Sequence, residues 1–261
     1  MRLAVWNVSH WARTQEQREA VWMVLRDEIK ADIALLQEVV PPHGVDAVYQ
    51  PIGGTRRWGS AVVGITVPVS QVTEAKGRAN STSLPMIHTR PGSVAIASAT
   101  FGDRPLTFVS MYGLIEHGYA DPTVQRQLSD LAPLFDDPAH ADRIILGGDL
   151  NITTQWTGTD ARYRNWSAAT FGRISAFGLV DCLDVYRPDG PLADCGCLDG
   201  AACRHIRTQR HARSDFPWQN DYLFASAKIT DRAILKSAYV YDSDAIRTLG
   251  DHLPLVADFD V

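Results

Sequence analysis

Short apolar segments that end in polar or acidic residues recur along this chain, and they restrict the folds open to it. The clearest is IILGGDLN at 144–151, in which two glycines, an acid and an amide follow three apolar residues. A short apolar run bounded by glycines predicts a buried strand. Asp149 and Asn151 then lie at its end, where a buried carboxylate costs free energy unless a ligand or partner uses it.

The rest of the chain alternates strand and helix signals, which indicates an α/β fold. Strands are predicted over 2–8, 32–38, 59–67, 93–101, 106–112, 143–146, 221–225 and 253–261. Thr14 followed by Gln17 predicts a capping box at the start of one helix, and Asp121-Pro122 predicts the N-cap and first residue of another. Because short turns join several strand pairs, we expect mixed and not purely parallel sheets.

Composition predicts a single domain over residues 1–261. With 45% hydrophobic residues the chain can build one large core, and its sequence contains no linker-like or repeated segment. We expect a soluble, cytoplasmic protein without a membrane partner, because no run approaches the roughly 18 apolar residues that span a bilayer. The net charge of −5 excludes a strongly basic surface over the whole protein.

Most of the predicted strand ends carry a side chain that can bind a cation or a phosphate. These residues are Asn7, Glu38, Tyr112, Asp149 with Asn151, Asp221, and the pair Asp251-His252 that precedes the last strand. Ligands bind to α/β sheets where strand ends converge. Carboxylate and amide oxygens suit a hard cation such as Mg²⁺, and a phosphodiester under attack needs its developing charge neutralised and a water molecule oriented.

Seven motifs carry a resemblance to a known family. They are WN at 6–7, LLQE at 35–38, VSMY at 109–112, GGDLN at 147–151, GLVD at 178–181, WQNDYLF at 218–224 and GDHLPLV at 250–256. In this order and over nearly the whole chain, the sequence resembles the endonuclease/exonuclease/phosphatase superfamily, which includes DNase I and exonuclease III-type AP endonucleases. The resemblance implies a DNase I-like, four-layer α/β sandwich with two packed mixed β-sheets and a site at one rim.

The resemblance also implies roles for the acidic and amide strand ends. Glu38 would be the main metal carboxylate, with Asn7 beside it, and Asp251 would support the metal directly or through water. Asp149 would orient or deprotonate the attacking water, and Asn151 would hold the phosphate or that water.

The resemblance implies that His252 and Tyr112 would face the phosphate, with Asp221 supporting His252. His252 would face the scissile group as a hydrogen-bond donor or as the acid/base, and Asp221 would orient its imidazole. Tyr112 would contact a phosphate oxygen. Whether the base is Asp149 or the His252–Asp221 pair is left open by the sequence.

Together these residues predict a Mg²⁺- or Mn²⁺-dependent hydrolase, a nuclease that cuts DNA or RNA by in-line attack of water. One alternative is a phosphatase or phosphodiesterase for a small-molecule or lipid phosphate ester. Another is a catalytically silent binding module, against which the complete set of acids and His252 argues. No residue supports or excludes a toxin-like nuclease with a protein partner. Departures from the AP endonuclease pattern at Ser9 and Gly113-Leu114 count against a dedicated AP endonuclease, and Gly250 departs from a common Ser.

A cluster of cysteines and histidines lies in an insertion at about 194–213, between GLVD and WQNDY. The sequence DCGCLDGAACRH at 194–205 places soft ligands at short spacing, which suits tetrahedral Zn²⁺. The candidate ligands are Cys195, Cys197, Cys203 and either His205 or His211. A reduced, cysteine-containing loop or a single disulfide is the alternative interpretation.

The same insertion contains candidate substrate-binding residues. They are the arginines Arg204, Arg207 and Arg210 of the basic strip RHIRTQRHAR at 204–213. Beyond the insertion, Trp218 is a further candidate, because it resembles a pocket-lining aromatic of AP endonucleases. A solvated surface or a packing role would produce the same pattern. The segments RRW at 56–58 and RYRNW at 162–166 also mix cations with aromatic residues, as single-strand binding surfaces do.

Overall fold

The computed structural model describes residues 1–77, 82–155, 161–186, 195, 203–211 and 213–261. The strands in this part of the chain are β1 (Arg2–Asn7), β2 (Ile33–Val39), β3 (Ala47–Gly53), β4 (Arg56–Gly64), β5 (Ser70–Gln71), β6 (Glu74–Ala75), β7 (Leu84–Pro85), β8 (Val94–Phe101), β9 (Arg104–Met111), β10 (Ile144–Asp149), β11 (Leu179–Asp181), β12 (Asp221–Ser226), β13 (Leu235–Val240) and β14 (Leu255–Phe259). The α-helices are α1 (Gln15–Met23), α2 (Asp121–Asp130), α3 (Ala132–Asp136), α4 (Ala161–Ala176), α5 (Cys182–Val185) and α6 (Asp244–Leu249).

Two six-stranded sheets form the centre of the fold. Their strand orders are β13-β14-β1-β2-β4-β3 and β11-β12-β10-β9-β8-β5. In the first sheet β1 is parallel to β2 and antiparallel to β14. In the second sheet β10 is parallel to β9 and antiparallel to β12. Both sheets are therefore mixed, which confirms the prediction.

The alternation of side chains along β1 shows how four layers arise. Leu3 and Val5 are fully buried between the two sheets, where they belong to the same cluster as Phe108 of the second sheet. Ala4 and Trp6 point to the opposite face and pack with residues of α1 and α6. The outer face of the second sheet packs with α2, α3 and α4. The predicted four-layer sandwich with two packed sheets is confirmed.

The element boundaries correct several predictions. Strand β4 ends at Gly64, not at residue 67, because the backbone N–H groups of Ile65 and Thr66 turn away to the carbonyl of Asp32. Helix α2 has Ala120 as its N-cap, so Asp121 lies within the first turn instead of capping it. The capping box of α1 is present as predicted. Short or irregular apolar patterns concealed β3, β11, β13, α4 and α6 from sequence analysis. In the described part of the chain, no helix is long and apolar enough to cross a bilayer.

The two glycines before Asp149 are required by close packing on both sides of β10. A Cβ atom on Gly147 would lie 2.6 Å from Val5 Cγ2 of the facing sheet. A Cβ atom on Gly148 would lie 1.8 Å from the carbonyl oxygen of Met111, and backbone cannot move aside cheaply. Gly147 thus lets the second sheet pack closely on the first, and Gly148 lets β10 lie close to β9, at the edge that carries Asp149.

We expect Gly148→Ala to destabilise the protein by about 3 kcal/mol through this clash, which lowers Tm by roughly 10 °C. Gly172→Ala is the matched control, since that glycine lies in α4 with nothing within 4 Å of its would-be Cβ. Because alanine is the better helix former, the control should melt at or slightly above the wild-type temperature. Equal melting temperatures for the two variants, measured by circular dichroism, would contradict the packing argument.

Candidate active site

Four strands and one loop bring polar side chains together at a shared edge of the two sheets. Asn7 is the last residue of β1, Glu38 lies near the end of β2, and Asp149 is the last residue of β10. Because β12 runs antiparallel to β10, its first residue, Asp221, lies directly opposite Asp149. His252 reaches the same edge from the loop before β14.

The Asn7 amide links two carboxylates of this edge. Its Nδ2 donates to Asp149 Oδ2 at 2.8 Å and to Glu38 Oε1 at 3.3 Å, while its Oδ1 accepts from the Ser9 backbone at 3.0 Å. The Asn7 side chain is almost fully buried, so its donors and acceptor are all used within the protein. One amide therefore fixes the relative positions of an acid from each sheet.

Two aromatic residues donate hydrogen bonds to Glu38. The Tyr112 hydroxyl donates to Oε1 at 2.8 Å, and the Trp11 indole N–H donates to Oε2. Burial raises the pKa of Tyr112 well above its ordinary value, and the Glu38 and Asp149 carboxylates raise it further, so the hydroxyl stays protonated. Glu38 itself lies in the left-handed backbone region, with φ of +50°, which turns its side chain into the cluster.

A tight turn after β10 holds Asp149 and Asn151. Asp149 Oδ1 accepts from the Asn151 backbone at 2.9 Å, and Asp149 Oδ2 accepts from Asn151 Nδ2 at 3.2 Å. Asn151 Nδ2 also donates to the carbonyl of Gly113 at 3.1 Å. Burial raises the pKa of Asp149 to about 7, although the His252 charge opposes that shift. A buried carboxylate of this kind is one that a cation would stabilise.

His252 and Asp221 form a buried pair behind Asp149. The imidazole Nδ1 lies 2.9 Å from Asp221 Oδ2, and Nε2 lies 3.8 Å from Asp149 Oδ2. Burial by itself lowers the pKa of His252, but the two carboxylates outweigh it and raise that pKa to about 10. The imidazole is therefore protonated at neutral pH, with Nδ1 donating to Asp221 and Nε2 directed toward Asp149.

The segment 206–210 braces this pair. Thr208 Oγ1 accepts the backbone N–H groups of both Asn220 and Asp221 at 3.1 Å, and the Thr208 carbonyl accepts from Leu253 at 2.7 Å. Gln209 forms isolated β-bridges to Trp218 and to His252. The segment thus lies between the start of β12 and the loop that carries His252.

Asp251 lies beside the cluster but faces a different set of partners. Its Oδ2 accepts from Gln209 Nε2 at 3.0 Å, and its backbone carbonyl accepts from Arg210 at 2.6 Å. Burial lowers the pKa of Arg13, while the Asp251 and Glu38 carboxylates oppose that shift. Arg13 is therefore close enough to both acids for their negative charges to act on it. The structure does not place Asp251 in the group formed by Asp149, Asp221 and His252.

Three of the four candidate substrate-binding residues line one of two cavities, and Arg204 lines neither. Arg207 and Arg210 line a cavity of about 440 Å³ that contains none of the carboxylate cluster, and Arg210 pairs with Asp242 at 2.7 Å. Arg204 donates to the carbonyl of Cys203. Trp218 lines a different cavity of about 510 Å³, which it shares with Asn151. The substrate contacts predicted for the arginines stay predictions.

Trp11 and Arg13 lie beside Glu38, although no sequence motif predicts a place for them in the site. Trp11 is 63% exposed, yet its indole reaches Glu38 from a short 3₁₀ turn at His10–Ala12. Neither residue belongs to a motif or to a strand end. The only indication in the sequence was their position just after β1, in the stretch WNVSHWAR at 6–13, which also contains Asn7.

Three of the predicted zinc ligands come together. The ligand atoms of Cys195, Cys203 and His205 lie within 4.8 Å of one another. Cys197 lies outside the described residues. His211 is not part of this group, and it lines the cavity that contains Trp218 instead.

The chemistry of the carboxylate cluster fits a divalent metal. Glu38, Asp149 and Asp221 are buried acids, and their negative charge exceeds the single positive charge of His252. The ligand atoms of Asp149, Asp221 and His252 lie within 4.8 Å of one another, but a protonated imidazole has no lone pair for a metal, so within this group only the acids can act as ligands. Carboxylate and amide oxygens are donors that hard divalent ions prefer, although they do not identify the ion.

A four-layer sandwich with its acids at the common edge of two mixed sheets is the architecture of DNase I-like proteins. The model of the endonuclease/exonuclease/phosphatase family matches residues 4–237, and the chain belongs to this family. Members of the superfamily are metal-dependent phosphoester hydrolases. No curated protein sequence matches the chain.

Several solved structures share the fold over the whole chain. The endonuclease domain of TRAS1, a telomere-specific non-LTR retrotransposon, superposes with a TM-score of 0.65 at 17% identity, covering 100% of this chain and 98% of that one. The Xenopus laevis APE2 catalytic domain gives 0.64 at 13% identity, with 99% and 91% covered. D. rerio TDP2 in complex with a single-strand DNA product gives 0.56 at 15% identity, with 100% and 99% covered. At these identities the likeness shows the fold alone.

Proposed function

We propose that the protein is a divalent-metal-dependent phosphodiesterase that hydrolyses nucleic acid. The observation that carries this proposal is the position of Asn7, whose amide joins Glu38 to Asp149 beside the His252–Asp221 pair. Family membership supports phosphoester hydrolysis. The similar structures include an endonuclease domain and a complex with a single-strand DNA product, which favours a nucleic acid over a small ester as substrate.

In this proposal Glu38 holds the metal through its carboxylate, Asn7 lies beside it and positions the Glu38 and Asp149 carboxylates, and Asp251 supports the metal directly or through water. A bound Mg²⁺ or Mn²⁺ would supply Lewis-acid neutralisation of phosphate charge. In the free protein Trp11 and Tyr112 position the Glu38 carboxylate by donating to its two oxygens. Because both donors are neutral, they leave the negative charge of Glu38 for the cation.

The remaining residues act on the water and the phosphate. Asp149 orients or deprotonates the attacking water, and Asn151 holds the phosphate or that water. His252 donates from Nε2 to a phosphate oxygen, since its Nδ1 is already engaged by Asp221 at 2.9 Å. Tyr112 retains its proton and donates to another phosphate oxygen, exchanging that bond with the one it makes to Glu38.

Aromatic residues beside the site suit a polymer substrate. The cavity beside Asn151 is lined by Tyr119, Tyr163 and Trp218, and its volume of about 510 Å³ accommodates a nucleoside-sized group. The ring of Trp58 packs nearly perpendicular to that of Tyr112, with the ring centroids 5.4 Å apart. Stacking on such rings, with cations nearby, binds unpaired nucleotides without sequence readout.

Trp218→Ala is expected to raise KM for a nucleic-acid substrate by about tenfold while kcat changes much less, because a stacked base is worth about 1–3 kcal/mol. Tyr241→Ala is the matched control, since Tyr241 lines neither cavity and its hydroxyl donates to Glu28. Steady-state kinetics on a labelled oligonucleotide measure both constants. An unchanged KM for Trp218→Ala would remove this cavity from the proposed substrate path.

Metal dependence tests the proposed function itself. Removal of divalent ions with EDTA should abolish hydrolysis, and addition of Mg²⁺ or Mn²⁺ should restore it. Glu38→Gln should require about tenfold or more metal for half-maximal rate, because it loses the main anionic ligand. Glu19→Gln is the control, since Glu19 is exposed on α1, where it accepts from Gln15 at 2.7 Å. Hydrolysis that persists in EDTA would overturn the proposal.

A further inference from the structure

A second cluster of ligands lies apart from the carboxylates and has a different chemical character. Cys195 Sγ lies 3.1 Å from His205 Nδ1, and Cys203 completes a group whose ligand atoms are all within 4.8 Å of one another. Cys203 is 1% exposed, and His205 is half-buried. Two thiols and an imidazole are soft ligands, whereas the acids and amides of the other site are hard.

We propose that Cys195, Cys203 and His205 bind a structural zinc ion. In a tetrahedral site with zinc–sulfur bonds of about 2.3 Å and zinc–nitrogen bonds of about 2.0 Å, neighbouring ligand atoms lie about 3.6 Å apart. The observed group needs only small shifts to reach that geometry. Binding releases the two thiol protons, and the two thiolates then balance the charge of the ion.

The sequence spacing is consistent with this site. Cys203 and His205 are separated by one residue, and Cys195 is eight residues before Cys203, so one ion closes a loop within the insertion. The fourth position of the tetrahedron belongs to water or to a further ligand. Cys197, which sequence analysis also predicts as a ligand, lies outside the described residues, and the proposal does not depend on it.

The zinc site anchors the segment that braces the catalytic pair. The backbone N–H of Ile206, next to His205, donates to Gln155 Oε1 at 2.6 Å, and Gln155 Nε2 donates back to the carbonyl of Ile206 at 2.8 Å. Two residues later, Thr208 receives the N–H of Asp221 and contacts the loop of His252. The ion would therefore fix one end of a short segment whose other end positions the acid–imidazole pair.

The first test is the metal content of the purified protein, which does not depend on catalysis. Dialysis against metal-free buffer should empty the carboxylate site, whereas zinc bound by soft thiolate ligands should remain. Elemental analysis by inductively coupled plasma mass spectrometry should then give one zinc per chain for the wild type. Cys195→Ser, Cys203→Ser and His205→Ala should each lose that zinc, while the controls His211→Ala and Cys182→Ala should retain it.

A second measurement keeps the proposal testable if a variant folds poorly. Cobalt exchanged into the wild-type protein should give the near-ultraviolet thiolate charge-transfer band and the intense visible bands of a tetrahedral site. A carboxylate-bound cobalt gives neither. Wild-type protein that contains no zinc and shows no such bands would overturn the proposal. So would zinc that survives both cysteine substitutions, or an intact mass that has lost two hydrogens to a disulfide between the cysteines.

Discussion

Replacing Asp149 by Asn is expected to lower the rate of phosphodiester hydrolysis by about a thousandfold or more. The substitution preserves the size of the side chain but removes its charge and one of its acceptor oxygens. Those oxygens accept from the Asn7 amide and from both the backbone and the side chain of Asn151. An amide would turn its own N–H₂ group toward one of these donors, so it can neither deprotonate water nor orient it as the carboxylate does.

The measurement is kcat on a polymer substrate at saturating metal, with the fold of the variant verified by circular dichroism. Asp142→Asn is the matched control, because Asp142 is 53% exposed and pairs with Lys228 on the surface. The control should keep the wild-type rate, since exposed pairs of this kind contribute little. If Asp149→Asn retained more than about a tenth of the wild-type kcat, Asp149 would not have the role we assign to it.

The second large effect concerns His252 and Asp221, which we expect to act as one unit. His252→Gln should lower kcat by about a thousandfold, because the variant loses the charged donor that faces the phosphate. Asp221→Asn should lower kcat by roughly a hundredfold or more, since the imidazole loses the anion that orients it and keeps it protonated. The double variant should be no slower than His252→Gln alone, because Asp221 acts through the imidazole.

His140→Gln provides the control for this pair. His140 Nδ1 lies 2.7 Å from Thr107 Oγ1, away from the acids, so its loss should leave kcat unchanged. Losses that multiply in the double variant would show that Asp221 contributes independently of His252. That result would favour the Asp149, Asp221 and His252 group as a metal site over an acid–imidazole pair.

The strands could largely be predicted, because apolar runs are local features of the sequence. In IILGGDLN, however, the predicted strand ends at residue 146, whereas β10 continues through both glycines to Asp149, since these residues still pair with neighbouring strands. The structure places four of the predicted residues at one edge: Asn7, Glu38, Asp149 and Asp221. They meet there because β1 and β2 are parallel, so their last residues are neighbours, and because the antiparallel strand β12 begins opposite the end of β10. The four layers were predicted through the family resemblance, since the alternation of strand and helix signals indicates an α/β fold but not the number of its layers.

The parts that could not be predicted depend on tertiary geometry. Trp11 reaches Glu38 only because Ser9 adopts a left-handed conformation, with φ of +44°, before the 3₁₀ turn. The basic strip gave no sign of which residues face which cavity. In the structure Arg207 lines the cavity away from the acids, and Gln209 and His211 line the one beside Asn151. Long-range packing, and not local pattern, decides such orientations.

The measurement that tests the central claim most directly is a cleavage panel with wild-type protein and Asp149→Asn, each with Mg²⁺, with Mn²⁺ and with EDTA. The substrates are single- and double-stranded DNA, an abasic duplex, RNA and a phosphomonoester. We predict metal-dependent cutting of at least one polymer by the wild type and none by the variant. Turnover of the phosphomonoester alone, or equal cutting by the two proteins, would contradict a nuclease built on this site.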